Sequence, residues 1–566
     1  MNPIVQLRRL PRLARLGLVS GLVACLLAPA AGATRIVKAP APPPKLPDLR
    51  AATQRQEVHL TLAAVIEQVL AGNFDVQVAD NEIVRRTSQI TGARAAFDPT
   101  INADIQHRWA VQPEVNQTQA AADGGATSTV VNPWSVTLAQ RLITGANYRF
   151  TLSGQRQETN AAFVGLSPNY SVNATLTFTQ PLLEGFGRDA NLRALRTAKN
   201  DALSAHGDRV IQVRESIKQT VDAYWDLVFT LEDLNVKEQA LRLAMELEAK
   251  NRIMVDVGTM APLEVLQAQS EVAERQRAII AGRAAIRAAE DALRRLMGLP
   301  MNSPLWDRAL RPSERPSFSD GRLELAEALA LGMENRRELS NAARTVDNAE
   351  LALAAAADTL KPQLDVVATL GTAGLAGDIN DNPLTPEIEI LRQNYVEAFE
   401  QIGDRDFNNW SVALNFSHPL RNRAARVEHL IARLNLEDAR IGLDRQRQTV
   451  VLEVRDAVRN LDTAREQIAA ARVARELQQR KLDAEISRFD NGLSTNFEVL
   501  QFQTDLTASE SAELQAIIDH AKARSALGRA TGTLVDDLAP NLAPAPLDPF
   551  PTRKERRQRK AEASGS

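Results

Sequence analysis

The twelve residues "GTMAPLEVLQAQ", Gly258 to Gln269, return 234 positions later as "GLSTNFEVLQFQ", Gly492 to Gln503. The correspondence is wider than the motif. Asp222, Ala223 and Leu227 fall on Asp456, Ala457 and Leu461, and Gly298 falls on Gly532, so residues 222–298 map onto 456–532 without a gap. Internal repetition at this scale constrains the fold more than any local motif, because both copies have to serve one architecture.

Each copy carries a long helical hairpin. Residues 190–257 contain no proline and run into Gly258. At 1.5 Å per residue they make a rod of roughly 100 Å, against a mean globular helix of about 11 or 12 residues. Arg421 to Asn491 is the equivalent rod in the second copy, and returning helices are expected over Pro262–Met297 and Asn496–Ala530. In the first of these Val265, Val272, Ile279, Ile286 and Leu293 recur every seven residues, the spacing of a coiled-coil seam. Beside that row, Ala268 and Gly282 are small, which implies close backbone approach. A shorter helix opens each copy: "LTLAAVIEQVLAGNFDVQVA" from Leu60 is echoed by "LELAEALALGMENRRELSNA" from Leu323. Each is expected to run on to a proline, Pro99 or Pro362, where helix must stop and a strand can start.

The texture then changes to period two. Ile101, Ala103, Ile105, Trp109 and Val111 alternate with polar residues; so do Val172, Ala174, Leu176 and Phe178, and Trp410, Val412, Leu414 and Phe416. These are strands with one apolar and one polar face. Residues 97–186 hold nine aromatics and residues 190–300 only three, so the aromatics gather in the strands, as in a transmembrane β-barrel. A soluble sandwich shows the same alternation but accounts for neither the flanking rods nor the export signal described next.

Arg8, Arg9, Arg12 and Arg15 precede the apolar run "LGLVSGLVACLLAPA" and Ala31-Gly32-Ala33, the layout of a leader cut before Thr34. Leu22-Val23-Ala24-Cys25 offers a rival, lipobox-type cut that would leave Cys25 lipidated. With the first cut the mature chain has no cysteine, which excludes disulfides and thiolate metal sites. The leader takes four of the 67 basic residues, leaving 63 against 70 acidic ones, a net charge of −7 and no nucleic-acid footprint. The sequence therefore divides into a signal peptide (1–33), a Pro-rich linker (34–58), a first repeat (59–298) with strands in 99–181, a connector (299–320), a second repeat (321–532) with strands in 362–419, and a disordered basic tail (533–566).

Enzyme chemistry finds no support. His59, His107, His206, His418, His429 and His520 are dispersed without metal-ligand spacing, and Gly185-Phe186-Gly187 lacks the third glycine of a dinucleotide fingerprint. There is no nucleophile elbow or phosphate loop, and no cofactor is expected.

The duplicated Leu-x-Leu-Ala starts, Phe178-Thr-Gln-Pro-Leu182 matched by Phe416-Ser-His-Pro-Leu420, and the paired Glu-Val-Leu-Gln tips resemble the TolC-like outer-membrane efflux proteins, or outer membrane factors, from Leu60 to Gly532. The resemblance implies an α+β membrane protein: a trimeric outer-membrane β-barrel continued by a long periplasmic α-helical coiled-coil barrel, with two repeats per chain. It further implies an exit duct of a tripartite efflux or type I secretion system, passively conducting substrates from periplasm to exterior. The partners it implies are a periplasmic adaptor (membrane fusion) protein, an inner-membrane pump and outer-membrane lipid. Six near-equivalent hairpins then ring the periplasmic end. Glu264 and Glu498 match the first acidic position of the family's closed entrance, whereas Gln267 and Gln501 stand where relatives can carry a second acid. The tip residues Gly258, Thr259 and Met260, and Gly492, Leu493 and Ser494, are the expected exposed adaptor contacts. The alternative is a structural or adhesive envelope-spanning strut that uses the same trunk without transport.

One segment departs from the family's two strands per repeat. "PWSVTLAQRLITGANYRFTLSGQRQ", Pro133 to Gln157, reads as an additional hairpin about Thr144-Gly145-Ala146-Asn147. It either joins the wall, giving 18 strands per trimer, or rises above a twelve-stranded barrel.

Overall fold

The structure, a computed structural model, describes residues 55–113, 126–161, 164–315, 323–379 and 394–538. The leader, Cys25, nearly all of the linker and most of the tail expected above lie outside the described residues. The chain divides into two compact units, Met1–Glu57 with Asp307–Ala309, and Val58–Trp306 with Leu310–Ser566. Of the first, residues 55–57 and 307–309 are described; all that follows concerns the second.

The first repeat runs α1 (Leu62–Gly72), α2 (Phe74–Ala95), β1 (Thr100–Ile105), β2 (Arg108–Gln112), β3 (Thr127–Arg141), β4 (Asn147–Thr159), β5 (Leu166–Pro181), α3 (Arg193–Asp256) and α4 (Pro262–Leu296). The second runs α5 (Leu325–Asn335), α6 (Arg337–Asp358), β6 (Gln363–Ile379), α7 (Tyr395–Asp404), β7 (Phe407–Ser417), α8 (Arg423–Asp490) and α9 (Asn496–Thr531). The rods α3 and α8 have 64 and 68 residues, each about 100 Å long. Among the described residues no helix is long and apolar enough to cross a membrane.

The opening helix of each repeat is two helices rather than the single one expected. Asn73 ends α1 and caps α2, its Oδ1 accepting the N–H groups of Asp75 and Val76 at 2.9 and 3.2 Å, while its Nδ2 donates to the Leu296 carbonyl at 3.0 Å. In the second repeat the break falls at Arg336, a buried guanidinium paired with Glu338 at 2.9 Å and Glu453 at 2.7 Å. The breaks turn α1 and α5 onto the trunk. Val65, Ile66 and Val69 of α1 meet Ile217 and Leu227 of α3 and Leu293 of α4; Ala328 of α5 packs with Val450 and Val454 of α8 and Leu527 of α9. Each fully buried aliphatic chain of this kind contributes about 1.5–3 kcal/mol.

The two hairpins lie side by side in the order α4-α3-α9-α8. The expected close seam within the first is present, with Ala268 fully buried and Gly282 set against Leu234 of α3. Between hairpins, α9 is tied to α3: Arg529 pairs with Glu215 at 2.7 Å, Ser511 donates to Asp233 at 2.7 Å, and Lys522 pairs with Asp226.

Strands β1 to β7 form an antiparallel sheet in the order β1-β3-β4-β5-β6-β7, with β2 continuing β1 along β3. The lapse between β1 and β2 lies opposite Pro133: Gln106 donates to the Pro133 carbonyl at 2.8 Å, but Pro133 has no N–H to return. The β3–β4 hairpin is part of the sheet, β3 pairing with β1 and β2 on one side and β4 with β5 on the other. Its turn, Leu142 to Ala146, sits at the helical end, where Thr144 accepts the Gly187 N–H at 3.0 Å and Arg141 reaches Asn191 at 2.7 Å. The register puts Ile101, Leu138, Phe150, Leu176, Leu370 and Trp410 in one row across all six strands. The adjacent row, on the opposite face, reads Asn102, Thr137, Thr151, Thr175, Gly371 and Asn409.

Candidate functional site: the hairpin tips

Both hairpins turn through the same motif. Gly258 has φ +78° and Gly492 φ +72°, left-handed values that a residue with a Cβ adopts only at a cost. Gly258 N–H bonds Val255 O and Thr259 N–H bonds Met254 O, at 3.0 and 2.9 Å. Gly492 to Phe489 and Leu493 to Arg488 repeat the pair at the same distances. These 5→2 and 6→1 bonds form a Schellman cap, which satisfies the last carbonyls of each rod.

The helices that leave the two turns start differently. Thr495 caps α9 in a capping box, with Thr495 N–H on Glu498 Oε2 at 3.2 Å and Glu498 N–H on Thr495 Oγ1 at 3.4 Å. Ser494 also donates to Glu498 at 2.7 Å, and it lies beside Glu485, itself bonded by Arg488 at 2.9 Å. The Ser494 hydroxyl, followed by the Thr495 N–H, holds the Glu498 carboxyl below its ordinary range. In the first repeat Ala261 cannot cap, and Pro262 opens α4 instead. Glu264 is consequently not engaged as Glu498 is: it is half-buried, and its Oε2, like Gln267 Oε1, is buried without a hydrogen-bond partner among the described residues. Gln501 is exposed and donates to Asp505 at 3.1 Å. The four expected entrance residues thus occupy equivalent helical positions in unequal surroundings.

The tips of one chain are joined. Asn251 Nδ2 donates to Asn496 Oδ1 at 2.9 Å, both residues being buried, and Asn496 Nδ2 reaches the Glu264 carbonyl at 3.3 Å. Lys250 pairs with Asp490 and stands 5.5 Å over the Phe489 ring. Leu247, Leu482, Phe489, Val499, Leu500 and Leu506 form a small core beneath. Met260 packs onto that core and Ser494 is half-buried, so neither is the exposed contact expected from sequence; Gly258, Thr259, Gly492 and Leu493 are exposed. Sequence reasoning passed over Val257, Leu263 and Phe497, which are apolar and exposed beside the turns. Their signal was available, as large apolar residues within five positions of a turn glycine.

A sheet with one apolar and one polar face, continued by paired rods of about 100 Å, defines the class of outer-membrane channel. The sequence profile of the family described as outer membrane efflux protein matches residues 65–299 and 329–533, one segment per repeat, and the chain belongs to that family. It resides in the outer membrane, has a large periplasmic portion, and is an exit channel in a family of channels rather than enzymes. Solved structures share the fold at low identity. The outer-membrane channel OprN is 16% identical with a TM-score of 0.61, covering 83% of this chain and 90% of its own. VceC of Vibrio cholerae gives 15%, 0.59, 83% and 96%, and CmeC of Campylobacter jejuni 15%, 0.58, 85% and 88%. No curated protein matches the chain.

Proposed function

We propose that three copies close into one conduit that passively conducts cargo from periplasm to exterior, as the outer component of a tripartite efflux or type I secretion system. The observation that carries this reading is a matched pair of open flanks. Within the chain, α9 of the second repeat packs on α3 of the first. By the repeat, the equivalent contact joins α4 to α8, yet these two lie on opposite flanks of the layer. Only another copy can supply it. Val499 and Leu500 are 1% and 8% exposed, whereas Leu266, the counterpart of Leu500, is 63% exposed and awaits that neighbour. The sheet repeats the logic, because β1 and β7 are unpaired edges and an open edge is forbidden in lipid. A head-to-tail contact of this kind generates a ring when its rotation closes, as it does at three copies in this reading.

Six strands per chain then make an 18-stranded wall. Strands about 4.8 Å apart and tilted about 40° give 18 of them a radius of roughly 18 Å, and twelve only roughly 12 Å. Twelve helices spaced about 10 Å apart form a ring of roughly 19 Å. The wider wall therefore suits the trunk. The polar face, lined by Thr151, Thr175 and Asn409, becomes the lumen, and Glu264 and Glu498 with Gln267 and Gln501 surround the periplasmic entrance. The exposed turns Gly258–Thr259 and Gly492–Leu493, with Val257, Leu263 and Phe497, form the face offered to a periplasmic adaptor beneath which an inner-membrane pump supplies the energy.

Native mass measurement in detergent combined with planar-bilayer recording tests this reading. Trimers that conduct support it. Trimers that never conduct favour the strut, and monomers that conduct contradict the shared wall.

A further inference from the structure

Helix α7 lies on the apolar face of the sheet, over β5 and β6. β7 pairs with β6 only as far as Ala373, so from Gly374 onward β6 has no strand on that side. The helix is seated there by specific contacts. Gln401 Oε1 accepts the Leu375 N–H at 2.8 Å. A Cβ on Gly374 would stand 1.8 Å from the Ala398 carbonyl oxygen, so only glycine admits this approach. Trp134 Nε1 donates to the Tyr395 hydroxyl at 2.8 Å, and the Trp134 ring stacks on Phe399 with centroids 6.1 Å apart.

At 100° per residue, α7 presents three stripes. Tyr395, Ala398 and Ile402 meet the sheet, joining Val172 and Ala376. Val396, Phe399 and Gly403 form a second stripe, with Val396 61% and Phe399 40% exposed. Glu397, Glu400 and Asp404 form a third. A helix whose task ended at covering a strand edge would turn polar residues outward everywhere else. This one exposes an apolar stripe on the same face of the sheet as the row of Leu370 and Trp410, which are 58% and 74% exposed. At its C-terminus stands Arg405, in the left-handed conformation (φ 62°) usually taken by glycine. Arg405 shares a groove with Phe150, Leu176, Leu370 and Trp410, the setting in which a basic side chain reaches lipid phosphate from an apolar surface.

We propose that α7 is an in-plane helix of the outer leaflet, with Val396 and Phe399 among lipid acyl chains, Glu400 and Asp404 in the headgroup water layer, and Arg405 at the phosphates. The inference rests on the reading above that the apolar sheet face is the outer wall. The helix would then brace the outer rim of the wall against lipid, in the manner of an interfacial amphipathic helix.

Nitroxide labels at Val396→Cys, Glu400→Cys and Leu370→Cys, each in the full chain carrying Cys25→Ser, test it in vesicles of phosphatidylethanolamine and phosphatidylglycerol. Collision with oxygen should exceed collision with a nickel chelate at 370 and 396, with the order reversed at 400. A lipid-facing 370 with a chelate-accessible 396 overturns the in-plane helix and leaves the wall standing. A chelate-accessible 370 overturns the wall reading, and this inference with it.

Discussion

Asn251 of the first hairpin donates its side-chain amide to Asn496 of the second, 245 residues away in the chain, at 2.9 Å and out of reach of solvent. Leaving one member of a buried pair without its partner costs about 1–3 kcal/mol, whereas removing both can be nearly neutral. Asn251→Leu should therefore loosen the tip, seen as faster hydrogen exchange at Leu247 and Phe489, and adding Asn496→Leu should recover part of the protection. Unchanged exchange in the single variant would show that the small core beneath, and not the amide pair, holds the hairpins together.

The entrance acids should act unequally. Glu498 is already engaged by Ser494 and the Thr495 N–H, while Glu264 keeps a buried oxygen without a partner among the described residues. Glu264→Gln with Glu498→Gln should weaken block by a trivalent cation in single-channel recordings, because in the proposed trimer both carboxylates would focus field at the mouth. Glu498→Gln alone should also fray the start of α9, since the amide replaces a charged capping partner. Block that survives the double change would remove both residues from the mouth.

Leu266 and Leu493 are both exposed in the single chain and should report on different partners. Leu266→Asp puts an unpaired charge into the proposed seam between copies and should abolish trimers in native mass spectra. Leu493→Asp, at the turn, should leave trimers intact and stop export in cells. Export by the second variant would move the adaptor contact away from the turns.

His520 on α9 is nearly buried, and burial, followed by the charges of Arg465 and Arg524, lowers its pKa. A histidine depressed in the folded state is held neutral there, so stability is complete above the unfolded value of about 6.5 and falls as pH drops below it. His206 on α3 behaves alike through burial and Arg209. Melting temperature should thus decline between about pH 7.5 and about pH 5.5, and His520→Gln should flatten the decline. A variant with the wild-type slope would place the acid sensitivity elsewhere.

Much of this fold was legible because its signals are long. Proline-free runs of more than sixty residues ending in Gly258 and Gly492 leave little choice but rods with a turn, and the alternation through Leu176 and Trp410 leaves little choice but two-faced strands. The helix breaks were harder. Gly72-Asn73 carries a local cap signal, but Arg336 breaks its helix through ion pairs to Glu338 and to Glu453, 117 residues away, which no local pattern encodes. Pro133 obscured β3, because a proline reads as a strand end, yet here it faces only a lapse in the ladder. The tip asymmetry was half-visible: Thr495 with Glu498 spells a capping box and Ala261 with Glu264 does not. The burial of Met260 depends on a core drawn from both hairpins, so neither copy alone predicts it.

The most direct measurement is a single-particle reconstruction of the full chain in lipid nanodiscs. The account predicts a threefold ring in which β7 of each copy pairs with β1 of the next, the β3–β4 hairpin stands in the membrane wall, and the wall has 18 strands over a twelve-helix trunk. A wall of twelve strands with the β3–β4 hairpins folded above it, or a particle in which the sheet edges remain unpaired, would contradict it.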